Sequence, residues 1–284
     1  MKLLHYFSLI KFSHTIFALP FAGIGFFLAV LHNQYQFRLD LFIFVILCMV
    51  FARTAAMAFN RYTDYTIDIK NSRTATREIP SGKISPKAAL TFTIINCILF
   101  IVSTWFINPI CFYLSPVALA VVLGYSYTKR FTFLCHFVLG IGLSLSPIGA
   151  YLAVTGEFAV LPILFSLIVL TWTGGFDIIY ALQDEEFDKN EELHSVPAKF
   201  GRASSLQISI IIHSITTIFV LLAGFYGDFS WLYWIGALAF IGLLIFQHTI
   251  VSAKDISRVN LAFGTTNGIA SVVFAIFTIG SLLF

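Results

Sequence analysis

Three oxygen-bearing side chains, Asn60, Asp64 and Asp68, follow one of the most apolar stretches of this sequence. Their i, i+4, i+8 spacing would line them along one face of a helix. Carboxylates one helical turn apart repel each other, and a cation bound between them would turn that cost into a gain. Carboxylate oxygens suit hard cations such as Mg²⁺, which binds one or two carboxylates together with substrate phosphates. The pattern therefore predicts a metal-binding helix face.

A second acidic pair, Asp184 and Asp188, repeats this spacing in the second half of the chain, and Asp177 lies two turns earlier on the same predicted face. Basic residues follow the first motif: Lys70, Arg73, Arg77 and Lys83. If the two helix ends face each other, their carboxylates form a site for two divalent cations that bridge a diphosphate, and the remaining anionic charge requires Arg and Lys. The candidates for that role are Arg73, Arg77 and Lys129.

The composition determines where such a site would lie. Of the 284 residues, 58% are hydrophobic and 11% are charged, whereas a soluble domain carries about 25% charged residues. Mean hydropathy is +0.90, so we expect an integral membrane protein. The first apolar run has no small-residue cleavage site after it and is interpreted as a retained helix. The cysteines lie apart in apolar segments and are interpreted as small buried hydrophobes.

Stretches without Asp, Glu, Lys or Arg predict the transmembrane helices, because a bilayer core requires about 20 apolar residues. The stretches are 12–37, 41–52, 88–128, 131–156, 158–176, 203–227, 229–253 and 259–284, and the helix that begins with 41–52 is expected to run on toward Asn60. Asn108-Pro109 divides 88–128 into two helices. The fold class is therefore all-α, a polytopic membrane protein with nine transmembrane helices.

Charge asymmetry predicts the orientation. Of the 17 Lys and Arg residues, only Arg38 falls in a loop that follows an odd-numbered predicted helix. The positive-inside rule therefore places the N-terminus in the cytoplasm. Predicted helices 2 and 6 both end on the cytoplasmic side, so both acidic motifs reach the same face. We expect a single domain, 1–284, with an approximate repeat of helices 1–4 and 5–8, followed by helix 9.

The chemistry is narrowed by what is missing. The sequence has no Walker loop and no GxSxG or HExxH motif. A diphosphate held by metal at the mouth of an apolar, aromatic-rich region favours a membrane-soluble substrate such as an isoprenyl diphosphate. Metals would stabilise the leaving diphosphate. Aromatic faces would stabilise an allylic cation, and exclusion of water would protect that cation from reaction.

Three motifs carry a resemblance: Asn60-Arg61-x-x-Asp64-x-x-x-Asp68, Asp184-x-x-x-Asp188 and Tyr125-x-x-x-Lys129-Arg130. Together with the loop stretch Arg73-Thr74-x-x-Arg77, they resemble the UbiA superfamily of intramembrane aromatic prenyltransferases across nearly the whole chain. The resemblance implies a Mg²⁺-dependent enzyme with its active site on the cytoplasmic face of the bacterial inner membrane. It would transfer a polyprenyl group from polyprenyl diphosphate to an aromatic acid acceptor of the 4-hydroxybenzoate type, in ubiquinone or menaquinone biosynthesis.

The resemblance also implies roles for individual residues. The Mg²⁺ ligands would be Asn60, Asp64, Asp68, Asp184 and Asp188. The diphosphate ligands would be Arg73, Arg77 and Lys129, and Tyr125 would orient Lys129. Arg130, in the same motif, and Lys11, at the mouth of helix 1, would also bind the substrate. Asp177 would be a proton acceptor, and Arg61 a partner for the acceptor carboxylate.

One departure leaves the acceptor open. Relatives carry a Pro-Gln pair shortly after Lys-Arg, where this chain has Leu134-Cys135-His136. Residues 149–156 resemble a sister group that prenylates 1,4-dihydroxy-6-naphthoate in the futalosine route to menaquinone, so that acid is the alternative. His14 and His136 are interpreted as interfacial or structural histidines.

Two other classes of function compete with the enzyme. A cation-coupled secondary transporter would place charged residues near the bilayer midplane, with access from both sides. Here the acids cluster at one face, which favours the enzyme. A non-catalytic lipid-binding scaffold is the third class. In every case the lipid bilayer is an expected partner, and nucleic acid is not.

Overall fold

The computed structural model describes residues 2–11 and 17–284, with the side chains of residues 2–4 excepted. His14 and the start of the first predicted span lie outside the described residues. Within the described ranges the secondary structure is entirely helical, joined by turns and loops.

Twelve α-helices follow one another along the described chain. They are α1 (Lys2–Leu9), α2 (Leu19–Phe27), α3 (Leu39–Thr63), α4 (Tyr65–Lys70), α5 (Pro86–Trp105), α6 (Pro109–Thr128), α7 (Cys135–Thr155), α8 (Val160–Ala181), α9 (Glu185–Asn190), α10 (Val196–Tyr226), α11 (Trp231–Ile250) and α12 (Asn267–Ser281). A π-helical segment, Leu28–His32, extends α2, and another, Leu261–Thr266, precedes α12.

Eight helices within the described residues are long and apolar enough to cross a membrane, and the shorter apolar helix Leu19–His32 falls inside the first predicted span. The other predicted spans each coincide with one of these eight. The predicted division at Asn108-Pro109 is confirmed, since α5 ends at Trp105 and α6 begins at Pro109. The Asn108 side chain caps α6 by accepting a hydrogen bond from the Cys111 amide at 2.9 Å.

The expectation of one continuous helix through the first motif is wrong. Helix α3 ends at Thr63, and Asp64 has φ −96° and ψ 3° before α4 begins. Asp184 has almost the same backbone geometry, φ −105° and ψ 5°, before α9 begins. In a straight helix the two aspartates of each motif would be separated by about 6 Å along the helix axis, at about 1.5 Å per residue. Each break instead leaves the second aspartate of its motif buried.

The interior of the molecule contains two regions that differ in packing density. Large aromatic side chains of α2, α8, α11 and α12 form a dense core, which includes Phe21, Phe165, Trp172, Phe240 and Phe274. By contrast, α3, α6 and α7 enclose a cavity. The two regions meet where α2 crosses α7. There, a β-carbon added at Gly25 would lie 1.9 Å from the carbonyl oxygen of Pro147, so only glycine allows the two backbones to approach this closely.

Replacing Gly25 with alanine is expected to lower the unfolding temperature of the detergent-solubilised protein. The added methyl group would force α2 and α7 apart, and overpacking of this kind costs about 1–3 kcal/mol. Gly23→Ala is the matched control on the same helix, because its new β-carbon would make ordinary contact with Ile279 Cδ1 at 3.6 Å. Equal unfolding temperatures for the two variants would contradict the close approach.

Candidate active site

A cavity of about 910 Å³ lies between α3, α6, α7 and α8. A series of α6 residues between Cys111 and Ser126 lines it, and these two positions are separated by about 22 Å of helix at about 1.5 Å per residue. One end is polar and contains side chains of both aspartate motifs. The other end is apolar and includes Met49, Phe100, Ile107 and Leu152. The cavity therefore joins a charged head to a long apolar tail region.

At the charged end, each of the four motif aspartates contacts a different basic side chain. The pairs are Asp64–Arg130 at 3.3 Å, Asp68–Arg77 at 2.7 Å, Asp184–Arg73 at 2.5 Å and Asp188–Lys129 at 2.7 Å. Two of these pairs join the halves of the chain, because Arg73 follows the first motif and Lys129 follows α6. The structure thus brings the two motifs together at one end of the cavity.

The first motif is organised around Asp64. Its Oδ2 accepts a hydrogen bond from Asn60 Nδ2 at 2.9 Å, and Arg130 Nη2 approaches its Oδ1 at 3.3 Å. Burial raises the pKa of Asp64, and the hydrogen bond from Arg130 acts in the opposite direction. Asp68 is 6% exposed, and Arg77 Nη1 donates to both of its oxygens at 2.7 and 2.9 Å. Both carboxylates are therefore held at the cavity end.

The second motif contains two differently placed carboxylates. Asp184 lines the cavity and accepts hydrogen bonds at 3.0 Å from Asn71 Nδ2 and Arg73 Nε. Asp188 is completely buried, and its Oδ2 accepts a hydrogen bond from Ser195 Oγ at 2.9 Å. Its Oδ1 lies 2.7 Å from Lys129 Nζ, but the contact lacks hydrogen-bonding orientation, so this buried oxygen accepts no hydrogen bond.

Ion pairing determines the protonation of the two basic side chains beside the second motif. Burial disfavours the charged form of Lys129, but the nearby Asp188 outweighs it, and the pKa of Lys129 is raised. Burial likewise opposes the charge on Arg73, and its hydrogen bonds to Asp184 raise its pKa overall. Both side chains therefore remain cationic and available to an anionic ligand.

The donor set suits a hard divalent cation, although the carboxylates are directed at basic side chains. Four carboxylates and the Asn60 amide supply oxygen ligands of the type that Mg²⁺ prefers. The buried Oδ1 of Asp188 is an anionic acceptor that already faces one cation, Lys129 Nζ at 2.7 Å. Among the described residues, however, no three His, Cys, Asp or Glu side chains stand close enough to form a preassembled metal cluster. The residues fit the ion in kind, and binding would require the basic partners to move aside.

The remaining predicted residues also line this cavity. They are Lys11, Arg61, Tyr125 and Asp177. Lys11 is exposed at the mouth, where its carbonyl oxygen accepts a hydrogen bond from Arg53 Nη2 at 3.3 Å. Arg61 is 7% exposed, its Nε has no hydrogen-bond partner, and no described acidic side chain forms an ion pair with it. No hydrogen bond between Tyr125 and Lys129 is found among the described residues.

Several residues of the site were missed in the sequence. Arg53 is a charged residue inside α3 and lines the cavity, and its intramembrane position was a sufficient signal. His136 is bonded to Asp177 at 2.7 Å, so its interpretation as a separate structural histidine is incomplete. Asn71 and Tyr180, the partners of Asp184 and Arg73, gave no signal, because their roles depend on contacts distant in sequence.

The fold and the cavity define a helical membrane protein in which two aspartate motifs meet over a deep apolar chamber. A model of the UbiA prenyltransferase family matches residues 18–279, and the chain belongs to that family. The family resemblance predicted from the motifs is confirmed.

Curated relatives are similar over most of their length. The 4-hydroxybenzoate octaprenyltransferase of Aliivibrio salmonicida is 30% identical over 231 residues, which are 81% of this chain and 80% of that one. The protein of the same name from Photobacterium profundum is 30% identical over 229 residues, 81% of this chain and 79% of that one.

Solved structures share the fold. The apo structure of a UbiA homologue from Aeropyrum pernix K1 is 28% identical, with a TM-score of 0.81 over 95% of this chain and 96% of that one. A UbiA homologue from Archaeoglobus fulgidus, solved with GPP and Mg²⁺ bound, has a TM-score of 0.76 at 19% identity, over 99% of this chain and 100% of that one. At that identity the second similarity shows the fold alone.

Proposed function

We propose that this protein transfers a polyprenyl group from polyprenyl diphosphate to an aromatic acid of the 4-hydroxybenzoate type, in quinone biosynthesis. One observation carries the proposal: the cavity combines a carboxylate and guanidinium end with a long apolar end. A prenyl diphosphate has the same two parts. The names of the curated relatives support 4-hydroxybenzoate as acceptor, and 1,4-dihydroxy-6-naphthoate is the alternative. Membership of a prenyltransferase family favours the enzyme over a transporter or a scaffold.

Asn60, Asp64, Asp68, Asp184 and Asp188 would hold Mg²⁺. When bound, the metal supplies charge stabilisation to the departing diphosphate. Arg73, Arg77, Lys129 and Arg130, which now pair with the motif carboxylates, would bind the diphosphate oxygens together with Lys11 at the mouth. Each of these four residues would then have a substrate anion as its partner in place of a protein carboxylate.

The proposed reaction then proceeds by ionisation and capture. The C–O bond of the prenyl diphosphate breaks, and its electron pair leaves with the diphosphate. A ring carbon ortho to the phenolic hydroxyl supplies the π pair that forms the new C–C bond. The ring proton passes to the Asp177 carboxylate, and aromaticity returns. Meanwhile the apolar walls exclude water from the allylic cation, and the aromatic faces of Phe17, Phe176 and Phe263, which line the cavity, stabilise it.

Arg61 is proposed to bind the acceptor carboxylate. A buried guanidinium without a partner is costly, and a carboxylate satisfies it with two parallel hydrogen bonds. Arg61 lines the same cavity as Tyr125 and Asp177. The acceptor would therefore span from Arg61 to Asp177, with its ring beside Tyr125.

Arg61→Ala is expected to raise KM for 4-hydroxybenzoate about 10- to 100-fold, because a hydrogen bond to a charged group is worth about 1.5–3 kcal/mol. KM for the prenyl diphosphate should change little. Steady-state kinetics with 4-hydroxybenzoate and with phenol, which lacks the carboxylate, measure the effect. The wild-type protein should prefer the acid, and the variant should lose that preference. An equal preference in both proteins would contradict the assignment.

The proposed function is tested directly with purified protein in lipid nanodiscs. Farnesyl diphosphate and Mg²⁺ are supplied with 4-hydroxybenzoate or 1,4-dihydroxy-6-naphthoate, and products are identified by mass spectrometry. Ring-prenylated product is expected with one of the acids and should disappear when EDTA removes the metal. Failure to form product with either acid, under conditions where prenyl diphosphate binds, would overturn the assignment in favour of a binding scaffold.

The membrane orientation belongs to the same proposal. We infer nine crossings, the first of which includes α2 and its π-helical extension, Leu19–His32. The N-terminus and the charged end of the cavity face the cytoplasm, in the bacterial inner membrane. The charge asymmetry of the loops supports this, and Arg38, the exception, forms an ion pair with Asp40. The single domain with an approximate repeat is supported by the matching backbone geometry at Asp64 and Asp184.

A further inference from the structure

Both ring nitrogens of His136 are engaged, although this residue belongs to none of the three motifs. It lies in the first turn of α7 and is 2% exposed. Its Nδ1 is 2.7 Å from Asp177 Oδ2, and its Nε2 accepts a hydrogen bond from the Val196 amide at 3.2 Å. His136 therefore connects the C-terminal end of α8 to the start of α10.

The Val196 contact determines the tautomer of His136. A backbone amide only donates, so Nε2 must be the unprotonated nitrogen of the ring. The ring hydrogen then lies on Nδ1 and is donated to Asp177 Oδ2. In this state His136 has no free site for a further proton, since one nitrogen already carries hydrogen and the other accepts the amide bond. His136 orients Asp177 and does not accept a proton from it.

Asp177 is held in this way at the wall of the cavity. Its side chain is 21% exposed, and it lines the cavity. Oδ2 receives the hydrogen bond from His136, whereas Oδ1 accepts no hydrogen bond from any described residue. The carboxylate is therefore fixed through one oxygen, and the other oxygen is left to a ligand in the cavity.

The first turn of α10 supports both sides of the site. Ser195, which caps α10, donates a hydrogen bond to Asp188 Oδ2 at 2.9 Å, and the adjacent Val196 holds His136. Gly201 ends this turn with φ 74° and ψ 171°, a conformation that is essentially restricted to glycine. One short segment thus positions an aspartate of the second motif and, through His136, the carboxylate of Asp177.

We propose that His136 is a positioning residue for the proton acceptor of the acceptor subsite. Its Nδ1–H fixes Asp177 so that Oδ1 faces the ring carbon that loses a proton after prenyl transfer. The inference rests on the proposed function, because it assigns His136 to the deprotonation step of that reaction. It extends that function by naming the group that determines where Asp177 meets the acceptor.

Replacement of His136 by leucine and by glutamine tests this role. His136→Leu removes the donor and should lower kcat about 10- to 100-fold, the usual effect of removing a group that orients a ligating or catalytic side chain. KM for farnesyl diphosphate should stay within about twofold, since the diphosphate end is untouched. His136→Gln should restore most of kcat, because its amide can donate to Asp177 and accept from the Val196 amide. Turnover of farnesyl diphosphate with 4-hydroxybenzoate or the naphthoate is measured in nanodiscs.

His248→Leu is the matched control. His248 also bonds another side chain, His213, at 2.9 Å, but it does not line the cavity, so its loss should leave kcat unchanged. Wild-type kcat in His136→Leu, or failure of glutamine to exceed leucine, would overturn the proposal. A different result would contradict the proposed function itself: a wild-type protein that binds farnesyl diphosphate but forms no prenylated product with either acid.

A double variant covers the case in which leucine disturbs folding. If His136 acts through Asp177, then His136→Gln should cause no additional loss of kcat in an Asp177→Asn background, because residues that act as a unit are not additive. In the wild-type background the same change should cost no more than about threefold, since the hydrogen bonds are retained. A multiplicative loss in the double variant would show an independent role for His136 and contradict the proposal.

Discussion

Asp184→Asn is expected to lower kcat/KM for prenyl transfer by about 10²- to 10³-fold or more. The substitution retains the shape of the side chain and removes its negative charge, and metal-based charge stabilisation is worth several kcal/mol at about 1.4 kcal/mol per tenfold. Asp184 is chosen because it lines the cavity and already binds the cation Arg73 through both oxygens. The Mg²⁺ concentration required for half-maximal rate should rise as well, since one ligand has lost its charge.

The chain offers a matched control for this prediction. Glu186→Gln removes the same charge two positions farther along, on an exposed side chain that does not line the cavity, and should leave both values within about twofold. Glu185 is unsuitable, because it is buried and paired with Lys189 and Arg202. A Glu186→Gln loss equal to that of Asp184→Asn, or full activity in Asp184→Asn, would contradict the metal assignment.

The convergence of the two motifs was predictable because it depends on short-range patterns. Apolar stretches of transmembrane length placed the helices, and charge asymmetry indicated that two even-numbered helices deliver aspartates to one face. Asn108 and Pro109 marked a helix boundary through local capping chemistry. Each of these signals lies within one helix or its adjacent loop, and none requires knowledge of which helices touch.

The breaks at Asp64 and Asp184 were not predictable from the same patterns. Neither position carries the glycine or proline that usually ends a helix, and the local sequence is compatible with continuation. The choice is made by tertiary contacts, because Asp184 is held by Asn71 and Arg73 from the other half of the chain. Which cation meets which aspartate is likewise a property of the assembled fold.

The role of His136 could not be predicted from the sequence, although its segment was noticeable there. The segment containing it was the one departure from the pattern expected of relatives, but a lone histidine on an apolar helix is usually structural. Its partner Asp177 is 41 positions away, and Val196 is 60 positions away. Only the packing of α7 against α8 and the start of α10 makes the three residues adjacent.

Gly149→Phe is expected to separate long prenyl donors from short ones. Gly149 lines the apolar part of the cavity, about 20 Å along α7 from His136 at about 1.5 Å per residue. A β-carbon at this position would meet nothing within 4 Å, so an aromatic ring there projects into open space in the tail region. The ratio of kcat/KM for a long polyprenyl diphosphate to that for geranyl diphosphate should fall about 10-fold or more, given the 10- to 200-fold discrimination that small changes in hydrophobic pockets produce.

Two further variants separate obstruction of the tail from damage to the fold. Gly149→Ala adds only the methyl group for which there is room and should keep the wild-type ratio, with a small gain in helix stability of about 1 kcal/mol. Gly124→Phe places the same ring on α6, where a β-carbon also meets nothing within 4 Å but outside the cavity lining, and should likewise keep the ratio. If Gly149→Phe leaves the ratio unchanged, the prenyl chain does not follow this cavity. If Gly124→Phe lowers it equally, the effect comes from altered packing, and the apolar end loses its assignment as the tail site.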